Sequence, residues 1–426
     1  MILRQPRIIE QENHTILGTR IQTLKPRLNF PEYLWYRVPK EYGAYLSTQN
    51  DAFLAPALLA GMYYGESLQV QGAVSPRLAY NLDEYQYIIS IRFPDLLQRV
   101  SLQFERIEAS NGQPRGIGAA FSGGLDSLFT LWKHLPNNQS DPDYQITHGI
   151  FIKGFDILPK EGDDYDLLYN QYSQGLARYG VELIPVETNM VSITHQRMPF
   201  PFIFGPIIVS AGISLQGLLR SYFIPSSWDH HKLMKESYSS DPGVDSLLST
   251  DQIRIIHHGA THRRVEKTEE IAAWDLSQEL LWVCTEAAFE GSTWNCSRCE
   301  KCVRAMIPLY ALGEMGKYKT FSKPFESDRD VLWWARRFSL RQNYVSELFP
   351  FVRKHKPALL PWMRLAAIVG YLRYLLVKYM PQSIKNWLRR YGYFLTRNEA
   401  PDAYEVPEIT EILKKKECRP KNPIAQ

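Results

Sequence analysis

Between residues 116 and 256, short apolar runs alternate with stretches whose apolar positions recur every three or four residues. Residues 116–121, 148–152, 181–186, 221–224 and 253–256 read as buried strands. Leu128, Leu131 and Leu135 mark the first intervening helix, and residues 165–179 the next. That alternation predicts an α/β fold built on a doubly wound, parallel, five-stranded sheet. Ligands of such sheets bind beyond the carboxyl ends of the strands. Here those ends carry Lys153-Gly154-Phe155-Asp156, Glu187-Thr188-Asn189, Ser226-Ser227 and the polar segment 257–262. Upstream, residues 34–38, 68–71 and 87–93 have strand character and 52–62 helical character, with Ser110–Pro114 as a linker. The pattern divides the chain into an α+β region (1–112), the alternating region (113–316) and a basic, mainly helical region (317–426).

Candidate chemistry concentrates at two places. Ser122-Gly123-Gly124-Leu125-Asp126-Ser127 joins the first strand of the alternating region to its helix. Glycines and hydroxyls at such a corner let N–H and O–H groups converge on an anion at the helix N-terminus. No Gly-Lys-Ser/Thr follows, which excludes a Walker loop. Farther on, Cys284, Cys296, Cys299 and Cys302 account for four of the five cysteines, the fifth being Cys418. Four clustered thiolates suit a tetrahedral zinc ion. Disulfides and a redox or persulfide pair are the competing readings.

The six-residue corner resembles the pyrophosphate-binding loop of the ATP pyrophosphatase (PP-loop) superfamily, which splits ATP into AMP and pyrophosphate. Combined with the four cysteines, and with the first of them closing a Trp282-Val283-Cys284 strand end after an apolar run, it resembles the 7-cyano-7-deazaguanine synthase family over about residues 115–313. A larger branch of the superfamily in which the flanking regions recur is also similar. The resemblance implies an adenine nucleotide alpha hydrolase-like fold, with ATP, magnesium and zinc as cofactors. Ser122, Gly123, Gly124, Leu125, Asp126 and Ser127 would hold the β- and γ-phosphates. Lys153 and Gly154 map by position to the border of the nucleotide, a solvated loop lysine being the alternative. Arg264 and Lys267, three apart, share a helix face and reach the α-phosphate, unless they form a plain basic surface. Asp126, Ser127, Arg264 and Lys267 are then the catalytic set. His258 and His262 lack the helical Glu of a hydrolase motif, so no second metal is expected.

The implied reaction is an attack by a carboxylate or amide oxygen on the α-phosphorus, expelling pyrophosphate, followed by displacement of AMP by ammonia or an amine. Every cysteine lies at or beyond position 284, so no N-terminal-nucleophile glutaminase is expected. Free ammonium, an amine substrate or a separate partner would supply nitrogen. The second functional class is modification of a macromolecule: tRNA thiolation or amidation, or protein modification in a defence or natural-product system.

Composition changes this picture little. A chain of 426 residues holds two or three domains, and its net charge of +4 specifies no partner. The first residues lack an apolar signal region, which leads to a cytoplasmic expectation. Residues 201–219 contain Gly205, Pro206, Gly212 and Gly217 and read as a buried helix; 359–380 is interrupted by Arg364, Arg373 and Lys378. Residues 353–397 carry ten lysines and arginines and no acidic residue, interleaved with aromatics. Contact with nucleic acid, contact with an anionic membrane, and a solvated basic helix face are the three readings of that stretch.

Overall fold

Near-continuous burial along both His14–Gln22 and Tyr33–Pro39 marks the first long strands of the chain. In chain order the strands are β1 (Ile2–Leu3), β2 (Arg7–Glu10), β3 (His14–Gln22), β4 (Tyr33–Pro39), β5 (Leu68–Val74), β6 (Leu102–Ile107), β7 (Gly116–Ala120), β8 (His148–Lys153), β9 (Glu182–Thr188), β10 (Leu219–Pro225) and β11 (Arg254–His258). The computed structural model describes residues 1–25, 30–155, 163–194, 198, 200–284, 294–336, 345–381, 383–384 and 407–417. Asp156, Cys418 and the basic residues from Lys385 to Arg397 lie outside the described residues.

The architecture is α/β, with one mixed sheet of eleven strands in the order β11-β10-β7-β8-β9-β4-β3-β1-β5-β6, β2 pairing with β3. The sheet is wider than the five strands expected. Strands β7 to β11 pair with one another in parallel, then β4 adds to β9 antiparallel through Tyr36 opposite Thr188 and Arg37 opposite Glu187. The chain runs outward from β7 through β8 to β9, then returns to the other side of β7 with β10 and β11. Strand order therefore reverses at β7, and the loop leaving its carboxyl end is the Ser122 corner.

The helices before the corner are α1 (Asp51–Tyr64) and α2 (Pro76–Arg92). After it come α3 (Leu125–Lys133), α4 (Asp163–Ala177), α5 (Phe200–Ser214), α6 (His230–Leu233), α7 (Pro242–Asp245), α8 (Arg264–Ile271), α9 (Asp275–Leu280), α10 (Glu300–Ala311), α11 (Val345–His355) and α12 (Leu360–Tyr379), with a last helix at Pro407–Glu417. Helix α5 is apolar all round and packs against α1, β7, β8 and β10, as a buried helix should. One core joins Phe53 and Leu54 of α1 to Ile207 and Ile213 of α5, so the first region and the sheet bury a common interior. Tyr36 of β4 donates to Ser210 Oγ of α5 at 2.7 Å across that interior. A second core, on the other face, joins Leu128 and Phe129 of α3 to Tyr172 of α4, Met306 of α10, Phe351 of α11 and Met363 of α12.

Three expectations need correction. Residues 87–93 belong almost entirely to α2 rather than to a strand. Pro76 follows Ser75 at the helix start, and Leu78, Leu82, Tyr85 and Ile89 recur at helical spacing on the buried face, overriding the strand preference of the Ile88-Ile89 pair. The apolar run before Cys284 is no strand: Leu280 ends α9, and residues 281–284 belong to no helix or strand. The polar end of β9 faces protein. Thr188 Oγ1 donates to the Trp35 carbonyl at 2.8 Å, Asn189 Oδ1 accepts from Trp35 N at 3.0 Å, and Asn189 Nδ2 donates to Tyr33 O at 2.9 Å. These side chains fasten β4 to the sheet.

Candidate functional site

The corner after β7 is a compact set of donors. Gly123 has a φ of +70°, and a Cβ there would lie 2.0 Å from the Tyr172 hydroxyl, so both backbone and space require glycine. Ser127 Oγ donates to Gly124 O at 2.9 Å and lies 3.3 Å from Ser122 N, while Gly124 N lies 3.4 Å from Ser122 Oγ. Gly124 is the N-cap of α3 and offers no side-chain cap. The first-turn N–H groups thus lack the acceptor that a Ser or Asp cap supplies, and an anion can take that place. Ser122 is exposed, whereas Leu125 is buried in the second core.

Asp126, in the first turn of the helix, faces α8. Its Oδ2 lies 2.5 Å from Arg264 NH2 and its Oδ1 2.9 Å from Lys267 Nζ. The three-residue spacing does bring both cations to one side, where both engage the same carboxylate. Burial alone would raise the Asp126 pKa, but Arg264 and Lys267 outweigh it and hold the carboxyl well below the usual carboxylate range. Lys267 is 1% exposed and also donates to the Ser226 carbonyl. The carboxyl end of β10 is thereby tied to α3 and α8 around one buried ammonium.

Lys153 and Gly154 lie at the end of β8, the strand that neighbours β7 with Ala120 opposite Ile150. Lys153 Nζ lies 3.7 Å from Glu187 Oε1 and 4.7 Å from the Tyr165 ring centroid, and Arg37 Nε donates to Glu187 at 2.6 Å. Lys153 is thus half-buried and paired with a carboxylate rather than fully solvated. Gly154 has a φ of +92°. His258 packs against Phe129 and His134, with Nδ1 3.1 Å from Thr130 Oγ1; burial first, then His134 and Lys267, push its pKa down to about 3. His262 pairs with Glu270 at 2.9 Å.

The four cysteines form a second centre. Their Sγ atoms lie within 4.8 Å of one another, with 3.8 Å between Cys299 and Cys284 and 4.0 Å between Cys296 and Cys302. Those separations are far too long for disulfides. Zn–S bonds of about 2.3 Å put tetrahedral sulfurs about 3.8 Å apart, so the set is positioned to hold a metal ion and is compatible with zinc. Cys299 N donates to Cys296 Sγ at 3.3 Å and Cys302 N to Cys299 Sγ at 3.4 Å, across a turn in which Ser297 has a φ of +56°. Sequence reasoning missed Asn295. Buried, it accepts from Val283 N (2.8 Å) and Cys284 N (3.2 Å) and donates to Leu281 O (2.8 Å) and Thr320 Oγ1 (3.0 Å). It holds the segment carrying Cys284 against the segment carrying the other three, and its place beside Cys296 is the sequence clue.

In the basic region, Lys354 and His355 pair with Glu269 of α8, and Lys356 with Asp328. Beyond them Leu365, Ile368, Val369, Leu372, Leu376 and Tyr379 of α12 are exposed. Among the described residues, one helical stretch, Pro357–Leu376, is long and apolar enough to span a membrane, with mean hydropathy 1.2 and 28% of it buried.

No family model, no curated protein and no solved structure matches this chain.

Proposed function

We propose that this chain is an ATP-dependent, AMP-forming carbon–nitrogen ligase of the PP-loop type, with an adenine nucleotide alpha hydrolase-like core and chemistry similar to that of 7-cyano-7-deazaguanine synthase. The observation that carries the reading is the Gly123-Gly124 corner. It lies where strand order reverses, at the start of a helix that has no side-chain cap. Such a site grips a diphosphate, and the diphosphate end of ATP held there leaves the α-phosphorus facing an incoming nucleophile. A substrate carboxylate oxygen bonds to that phosphorus while the bond to pyrophosphate breaks. Ammonia or an amine then attacks the acyl carbon, AMP departs with the original carboxylate oxygen, and the nitrogen's surplus proton passes to solvent.

Positioning and charge stabilisation supply the rate. Arg264 and Lys267 provide positive potential beside the corner, and Asp126 fixes their placement. Because Asp126 is already matched by two cations, magnesium would arrive on the nucleotide's own phosphate oxygens. Zinc on Cys284, Cys296, Cys299 and Cys302 would be structural, since four sulfurs leave no open position. That arrangement favours ligase chemistry over thiolation, which needs a reactive thiol. Nitrogen would come from ammonium, an amine or a partner, and the enzyme would work in the cytoplasm. The α12 stripe, flanked by Arg364 and Arg373, favours an anionic membrane over nucleic acid as a contact for the basic region.

Oxygen tracing tests the reading. The protein, ATP, magnesium, ammonium and a panel of carboxylates labelled with oxygen-18 should yield AMP that carries one labelled oxygen. Turnover with unlabelled AMP would contradict carboxylate adenylation.

A further inference from the structure

The cysteine centre and the anion corner are in direct contact through the main chain. Trp282, two residues before Cys284, donates its backbone N–H to the Gly123 carbonyl at 2.9 Å. A trans peptide is planar, with its C=O and N–H pointing in opposite directions. Fixing the Gly123 carbonyl therefore aims the N–H of Gly124 to the opposite side, where Ser122 Oγ lies 3.4 Å away. That N–H belongs to the donor set a diphosphate would meet.

Two further contacts make the link tight. The Tyr172 ring stands edge-on to Phe121, which precedes Ser122, with centroids 5.3 Å apart, and edge-on to Trp294, two residues before Cys296, at 5.8 Å. Tyr172 is fully buried, and its hydroxyl has no hydrogen-bond partner among the described residues. It acts as a wedge between the corner and the cysteine segment. Asn295 in turn holds Leu281, Val283 and Cys284 through three backbone hydrogen bonds, so the position of Trp282 is set from the cysteine side.

We propose that the four-cysteine centre with its Asn295 brace is the positioning device of the anion corner: metal held by the cysteines and the three Asn295 hydrogen bonds together fix residues 281–284, and Trp282 thereby orients the Gly123–Gly124 peptide for diphosphate. Loss of the metal releases that peptide and weakens anion binding without touching any group that contacts the anion through its side chain. The inference rests on the reading of the corner as a diphosphate site.

The test uses the full chain loaded with zinc. Calorimetry measures its affinity for inorganic pyrophosphate, and hydrogen exchange follows the amides of residues 123–128. Removal of zinc by a chelator should weaken pyrophosphate binding about tenfold or more and speed exchange of those amides, and added zinc should restore both. Asn295→Ala, which keeps all four thiols, should retain zinc but lose affinity to a similar degree; this variant decides the matter if the metal-free chain unfolds. Unchanged affinity and exchange in zinc-loaded Asn295→Ala, or in a folded metal-free chain, would overturn the proposal. If the zinc-loaded chain binds no pyrophosphate at all, the diphosphate reading itself fails and takes this link with it.

Discussion

Lys267 is the side chain on which the site's electrostatics turn. It is an ammonium at 1% exposure, tolerable because Asp126 and the Ser226 carbonyl both accept from it. Removing one partner of such a pair leaves a buried charge uncompensated, which costs about 3–5 kcal/mol, whereas replacing both by neutral groups is far milder. Asp126→Asn should therefore destabilise the fold strongly in urea unfolding at pH 7, and adding Lys267→Met should recover most of the loss. Equal destabilisation by the single and double variants would contradict this account of the trio. The sign with pH follows from the depressed Asp126 pKa. Its contribution is complete above the unfolded-state value of about 3.9 and fades only as pH falls below that towards the folded value. The sequence placed Arg264 and Lys267 on one helix face. It did not reveal that Asp126, 138 and 141 positions away, would draw both to itself.

Helix α12 behaves differently from the other apolar helices. Met363 and Ala366 are buried in the second core, while Leu365, Ile368, Leu372 and Leu376 form a stripe left open on another face. With Arg364 and Arg373 beside the stripe, the full chain should bind vesicles containing anionic phosphatidylserine at low salt more tightly than neutral vesicles. Placing charge in the stripe, through Ile368→Asp combined with Leu372→Asp, should abolish that binding. Binding to RNA with a steep salt dependence, and none to vesicles, would assign the region to nucleic acid instead. Elements whose period matched their burial were legible from the sequence: β7 to β11, α3 and α4 all lie close to where periodicity placed them. Helix α2 was not, because the run Ile88-Ile89-Ser90-Ile91 has strand composition and only packing of Leu82, Tyr85 and Ile89 decides for helix. The long strand His14–Gln22 went unread, since its burial on both faces depends on partners elsewhere in the chain.

At the scale of the molecule, the parallel strands and the carboxyl-edge location of the corner followed from alternation of element types, but the extension of the sheet across β9 did not. That joint rests on Asn189 and Thr188 bonding to the backbone of β4, a pairing over more than 150 positions that no local pattern encodes. The thiol cluster was legible because its spacing is short; its brace, Asn295, became visible only with its three backbone partners in place. The whole arrangement puts the Ser122 corner at the strand reversal, with the cysteine segment packed against it and the cations of α8 beside it. Its central claim is that this corner holds the departing diphosphate. The most direct measurement follows ATP labelled at its α-phosphorus during turnover with an accepted carboxylate and ammonium. The account predicts label in AMP and an equal amount of unlabelled pyrophosphate; labelled ADP with orthophosphate would contradict it.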